Sequence, residues 1–180
     1  MADAFLNRLC DSVRTVPDFP IEGIMFRDIT PVLSEPGLLR EVTNRFVDDL
    51  AKLGWHPDII VGPEARGFIF GPLLAERLGI AFVPVRKPGK LPAATSRVEY
   101  TLEYGSNTLE MHQDAISTGQ RVVIIDDLLA TGGTISACAK LCRDARAEVL
   151  GSLFLIELVG LGARDTIAPL KAHALLEFPA

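Results

Sequence analysis

Apolar runs alternate with amphipathic segments through most of the chain, and this pattern predicts the fold. Short runs with the length and the β-branched or aromatic content of buried strands span residues 58–62, 80–85, 121–125 and 150–158. Longer segments repeat their apolar residues at helical spacing, at residues 36–54, 67–78 and 134–146. Strands that alternate with helices predict an α/β fold with a mainly parallel central sheet flanked by helices.

The segment 97–112 departs from this pattern. Its sequence, "RVEYTLEYGSNTLEMH", predicts two short strands on either side of "GSN", and therefore an inserted hairpin. Together with the loop before it, which contains Pro and Gly, the hairpin is expected to form a flexible lid over residues 86–112. We expect residues 1–180 to form a single domain, and the pattern assigns no element to residues 160–180.

The composition narrows the class of protein. Hydrophobic residues make up 48% of the chain and charged residues 23%, which is typical of a soluble globular protein. No stretch approaches the roughly 20 apolar residues that span a bilayer, and "MADAFLNRLCDSVR" does not resemble a signal peptide. The three cysteines form neither a CxxC motif nor an even disulfide set, so we expect a cytoplasmic protein with no membrane partner.

The charge distribution argues against nucleic acid as a partner. The net charge is −5, whereas proteins that bind nucleic acid usually carry a basic face. One local stretch is different, because residues 86–97 ("RKPGKLPAATSR") contain four basic residues and no acid. If the ligand is an anion, we expect this stretch to attract it.

Polar residues follow the predicted strands at their carboxyl ends, where open α/β sheets bind their ligands. These candidates are Glu64 and Arg66, then Arg86 and Lys87, and then Asp126 and Asp127.

The stretch "VVIIDDLLATGGT" (122–134) joins a strand to a helix and combines two kinds of binding group. Gly132 and Gly133 permit a tight turn, and with threonine hydroxyls and the free N–H groups of the helix they form a phosphate cradle. It is neither a Walker loop nor a GxGxxG turn. Asp126 and Asp127 would repel a phosphate but accept hydrogen bonds from a ribose diol. A ribose 5-phosphate unit therefore suits both parts of the stretch, with its diol on the acids and its phosphate on the glycine turn. The alternative is an Asp-capped helix after a tight turn.

This stretch resembles the phosphoribosyl-pyrophosphate (PRPP) signature of type I phosphoribosyltransferases, and "DDLLATGGT" most resembles the adenine phosphoribosyltransferases. Residues 17–33, 63–72, 86–92 and 102–105 agree with this family in the expected order. The resemblance implies the type I fold with a small hood. It also implies transfer of ribose 5-phosphate from PRPP to adenine, which gives AMP and pyrophosphate in purine salvage. Mg²⁺ bound through PRPP, without a direct protein ligand, and a homodimer are implied as well.

The resemblance also implies roles for individual residues. The 5-phosphate would bind to Ala130, Thr131, Gly132, Gly133 and Thr134. Asp126 and Asp127 would hold the ribose hydroxyls and stabilise an oxocarbenium-like transition state. Pyrophosphate would bind to Glu64, Ala65, Arg66, Arg86, Lys87 and Lys90, with a cis peptide between Glu64 and Ala65. Adenine would bind to Met25, Phe26, Arg27 and Leu158. Glu103 would be the general acid/base, and Tyr104 would belong to the lid.

Other interpretations stay open. Phe26 could be an ordinary core residue, Glu103 an exposed hairpin residue and Lys90 a solvated one. A phosphoribosyltransferase for guanine or xanthine would need a donor for an exocyclic oxygen, which Arg27 could supply. A non-catalytic regulator that senses PRPP would need no Glu103. A Rossmann-type nucleotide enzyme is a more distant alternative, because GxGxxG is absent.

Overall fold

The computed structural model describes residues 3–101 and 106–180. The helices of this part are α1 (Ala4–Ser12), α2 (Thr30–Ser34), α3 (Leu38–Leu53), α4 (Gly67–Leu78), α5 (Gly133–Asp144) and α6 (Ala163–Ile167). The strands are β1 (Arg14–Val16), β2 (Phe26–Asp28), β3 (Ile59–Pro63), β4 (Ala81–Val85), β5 (Thr95–Thr101), β6 (Ser106–His112), β7 (Arg121–Leu129), β8 (Glu148–Val159) and β9 (Ala172–Pro179). Within the described residues, the helices are too short or too polar to cross a membrane.

Five strands form the central sheet in the order β4-β3-β7-β8-β9. Every neighbouring pair is parallel, which confirms the predicted α/β fold with a parallel sheet. Strand β3 has β4, the next strand along the chain, on one side and β7 on the other side. The strand order therefore reverses between β3 and β7, and a crevice forms outside the carboxyl ends of strands at such a point.

Both faces of the central sheet are covered, which explains why its strands are continuous apolar runs. Neighbouring side chains of β7 enter two different cores. Ile124 shares one core with Cys138 of α5, and Ile125 shares the other with Phe46 of α3.

The helices and strands that the sequence predicted are present in the structure, but α1, α2 and α6 were not predicted and one strand is longer than expected. Helix α4 has the predicted bounds even though it contains Pro72, and α3 ends at Gly54 in the left-handed conformation. The run 121–125 was expected to end before the two aspartates, but β7 continues to Leu129. Its neighbour β8 runs alongside and pairs with it there, so Asp126 and Asp127 lie within the strand.

The segment predicted as a hairpin forms two antiparallel strands, β5 and β6, paired from Thr95 with His112 to Thr101 with Ser106. The turn does not surround "GSN", because Ser106 and Asn107 already belong to β6 and pair with Thr101 and Tyr100. The connection itself lies outside the described residues. That the hairpin is a flexible lid stays a prediction.

The sequence pattern missed three strands, β1 and β2 near the start of the chain and β9 near its end. Strands β1 and β2 form a separate antiparallel pair, in which Thr15 faces Arg27. We call β1, β2 and the loop between them (14–28) the hood segment. Strand β9 lies within residues 160–180 and adds the fifth strand to the sheet beside β8.

Candidate active site

A cavity of 190 Å³ opens at the carboxyl end of β7, where the strand order reverses. Its lining comes from Arg66 and from the continuous stretch 126–135. The two acids and the glycine turn that the sequence singled out therefore border one space. Arg66 follows β3 and reaches this space from the neighbouring strand.

The turn between β7 and α5 requires glycine for two reasons. Gly132 has a φ of 87°, in the left-handed region that side chains other than glycine rarely adopt. A Cβ at this position would also lie 2.9 Å from the Ala163 carbonyl oxygen at the start of α6. Helix α5 begins at the next residue, and no side chain in the described part of the chain caps it. Its first N–H groups, with the hydroxyls of Thr131 and Thr134, are thus available to an anion.

The two aspartates of β7 have different environments. Asp127 is 5% exposed and forms an ion pair with Arg66 Nε. Asp126 Oδ1 accepts a hydrogen bond from the Asp127 main-chain N–H at 2.9 Å. Burial raises the pKa of Asp126 well above its usual value, and the charge of Asp127 raises it further. A ligand that donates hydrogen bonds to this pair would offset part of the cost of keeping both acids charged.

The loop between β3 and α4 carries Glu64, Ala65 and Arg66. The peptide bond between Glu64 and Ala65 is cis, as the resemblance implied. The Glu64 N–H donates to the Val85 carbonyl at 2.9 Å, so the loop is tied to the end of β4. A Cβ on Gly67 would lie 2.9 Å from the Ile125 carbonyl oxygen, so glycine allows α4 to begin close to β7.

The basic residues after β4 lie next to this loop. Arg86 Nε donates to Glu64 Oε2 at 2.7 Å, and Arg86 Nη1 donates to the Lys90 carbonyl at 3.2 Å. The side chains of Lys87 and Lys90 are exposed. The structure therefore brings Glu64 and Arg86 together, and among residues 3–101 and 106–180 neither lysine side chain has a hydrogen-bond or ion-pair partner.

The candidate adenine-binding residues lie in the hood segment and at the end of β8. Phe26 is half-buried and meets the exposed ring of Phe19 edge to face, with centroids 5.1 Å apart. It is thus part of a small aromatic surface, outside the two cores. Met25 is 43% exposed. These residues are absent from the lining of the cavity at β7.

The side chain of Arg27 is engaged by its own chain. Its guanidinium lies 4.6 Å from the centre of the Phe178 ring, and it donates to Thr15 Oγ1 at 2.5 Å and to the Pro179 carbonyl at 3.3 Å. Phe178 of β9 pairs in register with Leu158 of β8. Arg27 and Leu158 therefore both border Phe178, although they are far apart in sequence.

The remaining sequence candidates, Glu103 and Tyr104, lie outside the described residues. The structure adds two residues near the site that the sequence did not single out. Tyr100 of β5 lies with its hydroxyl 3.3 Å from Thr134 Oγ1, and Glu110 of β6 is buried under the loop that follows β4. Val98 and Tyr100 are two residues apart in β5, so they lie on the same face of the strand. The apolar Val98 could therefore have indicated that Tyr100 faces inward. No comparable signal marked Glu110, because its neighbours Leu109 and Met111 predict an outward side chain.

Comparison with known proteins agrees with this geometry. The phosphoribosyl transferase domain model matches residues 30–170. An adenine phosphoribosyltransferase of Francisella tularensis subsp. novicida is 51% identical over 173 residues, which cover 96% of this chain and 99% of that protein. The solved adenine phosphoribosyltransferase of Thermoanaerobacter pseudethanolicus has a TM-score of 0.92 at 49% identity and covers 96% of this chain and 99% of its own.

The Saccharomyces cerevisiae adenine phosphoribosyltransferase, solved with an imino-altritol bisphosphate and adenine, has a TM-score of 0.92 at 39% identity. It covers 96% of this chain and 99% of its own. These likenesses extend over nearly the whole chain. The chain therefore belongs to the adenine phosphoribosyltransferase family.

Proposed function

We propose that the protein transfers ribose 5-phosphate from PRPP to adenine, which gives AMP and pyrophosphate and serves purine salvage. The observation that carries the proposal is the cavity at β7, where two acids adjoin an uncapped helix N-terminus made of glycine and threonine. A ligand with a diol near one end and a phosphate at the other matches both halves. The names of the relatives, and the adenine bound to the yeast protein, support the choice of base.

During the transfer, the bond between ribose C1 and the pyrophosphate oxygen breaks. Adenine forms a bond to C1 through N9 while its N7 carries the proton, and Glu103 accepts that proton from N7 as pyrophosphate leaves. The sugar passes through an oxocarbenium-like state, which nearby negative charge stabilises. We assign this role to Asp126 and Asp127, which also accept hydrogen bonds from the ribose hydroxyls. Residues 130–134 hold the 5-phosphate and fix the distance from the phosphate to C1.

Glu103 and Tyr104 complete the proposed chemistry, on the strength of the sequence resemblance. Glu103 acts as a general acid/base near purine N7 and balances the charge while N9 attacks. A positioned group of this kind contributes about 10²–10⁴-fold to the rate. Tyr104, on the lid, keeps water away from the sugar cation.

Pyrophosphate binds between the loop Glu64–Arg66 and the basic residues Arg86, Lys87 and Lys90. Arginine suits bidentate contact with phosphate oxygens. The nearby carboxylates already have cationic partners, since Glu64 pairs with Arg86 and Asp127 with Arg66. This arrangement fits a Mg²⁺ ion that arrives on PRPP and is held by its phosphate oxygens and water. When bound, Mg²⁺ neutralises part of the pyrophosphate charge.

Adenine binds against Phe26, with Met25, Arg27 and Leu158 around it. The engagement of Arg27 by Thr15, Phe178 and Pro179 disfavours the alternative in which its side chain recognises a guanine or xanthine oxygen. Main-chain groups of Met25 and Arg27 are left to recognise the adenine edge.

We also propose that the chain forms one domain and acts in the cytoplasm as a homodimer. The exposed side chain of Lys87 is suited to reach across a dimer interface. We expect neither a membrane nor nucleic acid as a partner, in line with the net charge of −5.

The test is AMP formation from adenine, PRPP and Mg²⁺, with guanine, xanthine and hypoxanthine as parallel substrates. We expect turnover of adenine alone. Turnover of another base would retain the transfer mechanism and overturn the proposed substrate. Tight PRPP binding without turnover of any base would favour the non-catalytic regulator.

A further inference from the structure

The hairpin of β5 and β6 contacts both halves of the proposed PRPP site through its two opposite faces. Tyr100 pairs with Asn107, and Glu110 is three residues further along β6. Because side chains alternate along a strand, Tyr100 and Glu110 project from opposite faces of the hairpin. The face with Tyr100 packs with the core around α5. The opposite face lies under the loop that follows β4, residues 86–90, which we call the basic loop.

We propose that Tyr100 and Glu110 are positioning residues, one for each end of PRPP. Tyr100 orders the 5-phosphate turn, and Glu110 orders the basic loop that binds pyrophosphate. This inference rests on the proposed function and deepens it.

The contact of Tyr100 with Thr134 has a direct chemical use. The two hydroxyl oxygens are 3.3 Å apart. A threonine hydroxyl carries one hydrogen and can accept two hydrogen bonds. When Tyr100 donates to Thr134 Oγ1, the threonine hydrogen stays free to donate to a phosphate oxygen. The tyrosine thus selects the threonine orientation that binds an anion.

Glu110 holds the basic loop by its side chain and by its main chain. The residue is 1% exposed, and its Oε2 accepts a hydrogen bond from the Gly89 N–H at 3.2 Å. Arg97 Nε lies 2.6 Å from Oε1 in an ion pair, although Oε1 accepts no hydrogen bond among the described residues. The main chains of Glu110 and Arg86 exchange two hydrogen bonds, of 2.9 and 2.7 Å.

Burying a carboxylate destabilises the fold unless hydrogen bonds or an ion pair offset the lost hydration. A buried glutamate at position 110 therefore points to a role for its charge. The Gly89 N–H donates to one oxygen, and the positive guanidinium of Arg97 lies beside the other. A glutamine has one oxygen and one NH₂ group, so it could accept from one neighbour but would confront the other with a donor. Glu110→Gln therefore loosens the basic loop while it keeps the size and shape of the side chain.

The experiment measures the affinities of inorganic pyrophosphate and ribose 5-phosphate for the wild type, Y100F and E110Q. Y100F should weaken ribose 5-phosphate about 3–10-fold, as expected for loss of one hydrogen bond, and leave pyrophosphate within about twofold. E110Q should weaken the binding of pyrophosphate about 3–10-fold and leave that of ribose 5-phosphate within about twofold. The KM for adenine should stay constant in both variants. The expectation for pyrophosphate is the same whether the basic loop serves its own site or that of a second copy.

E99Q is the matched control, because it makes the same charge change at an exposed side chain of the same hairpin. It should leave both affinities unchanged. If E110Q does not fold, R97Q is the alternative variant, because Arg97 is the ion-pair partner of Glu110 and its side chain is 67% exposed. R97Q should weaken the binding of pyrophosphate and leave that of ribose 5-phosphate unchanged.

Equal losses for both ligands in each variant would show that the hairpin acts as one structural unit, and would overturn the inference. Unchanged affinities would overturn it as well. A wild type that binds both ligands and forms no AMP would instead refute the proposed function.

Discussion

At the scale of single residues, the charge of Asp126 lowers the stability of the fold, although the same residue is proposed to bind the ribose. Burial and the charge of Asp127 raise its pKa above the usual 3.8. From pH 3.8 upward, the folded protein therefore holds this proton more tightly than the unfolded chain does. The free energy of unfolding falls as the pH rises across that range, and the loss is complete above the raised pKa.

We predict that Asp126→Asn makes the protein more stable and less active. Asparagine carries no charge but can still accept the hydrogen bond from the Asp127 N–H. The free energy of unfolding at neutral pH should rise, and the difference from wild type should vanish below the unfolded pKa. The kcat/KM for PRPP should fall roughly tenfold or more, because a charged acceptor for the ribose is lost. Urea unfolding at several pH values and steady-state kinetics measure both effects.

Asp127→Asn is the contrasting variant. It removes the partner of Arg66, so we expect it to lower stability at neutral pH. If D126N were destabilised as well, Asp126 would have to be satisfied in the folded protein, contrary to the raised pKa.

At the scale of elements, the junction of β7 and α5 depends on Gly132. We predict that Gly132→Ala both destabilises the protein and weakens ribose 5-phosphate binding. The strained φ of 87° should cost about 1–3 kcal/mol, and the new Cβ would collide with the Ala163 carbonyl oxygen at 2.9 Å. Relief of that contact must move the turn or α6. Thermal unfolding and a titration with ribose 5-phosphate measure the two effects.

Gly119→Ala is the matched control for this junction. Gly119 has a φ of 84° and precedes the opposite end of β7. Apart from its chain neighbours, no atom of the described residues lies within 4 Å of its added Cβ. It should lose stability through backbone strain alone and retain ribose 5-phosphate affinity. A G132A variant that binds ribose 5-phosphate as well as G119A does would contradict a role for the turn in phosphate binding.

The same junction shows what the sequence could and could not predict. The glycine turn and its two acids were recognisable because their chemistry is local to 126–134. The extent of β7 was not, because β8 continues beside it and draws the acids into the strand. The pair of Arg66 and Asp127 joins residues from two strands that become neighbours only where the sheet order reverses. Glu110 was overlooked because its apolar neighbours Leu109 and Met111 predict an outward side chain, which the loop 86–90 in fact covers.

At the scale of the whole molecule, the buried carboxylate of Asp49 links residues near both ends of the chain to helix α3. Asp49 of α3 is 4% exposed and accepts hydrogen bonds from Arg45 and Lys52 of the same helix. His173 Nε2 of β9 lies 2.9 Å from Asp49 Oδ2, and Arg45 also pairs with Asp3 at the start of α1 at 2.6 Å. Strand β9 and helix α1 are thus held to α3 by one network.

We predict that Asp49→Asn lowers the free energy of unfolding at neutral pH by about 1.5–3 kcal/mol. Burial would raise the pKa of Asp49, but the hydrogen bonds from His173, Lys52 and Arg45 outweigh it and lower the pKa below 3.8. The stability that this carboxylate contributes is therefore fully present above pH 3.8 and is lost as the pH falls through the lowered pKa. Urea unfolding should show a difference in the free energy of unfolding between wild type and D49N, and this gap should close at acidic pH. Asp48→Asn, at the exposed neighbouring position, should show no gap at any pH. A gap that persists in acid would mean that Asp49 stabilises the fold through its shape, and that its charge does not join the two ends of the chain.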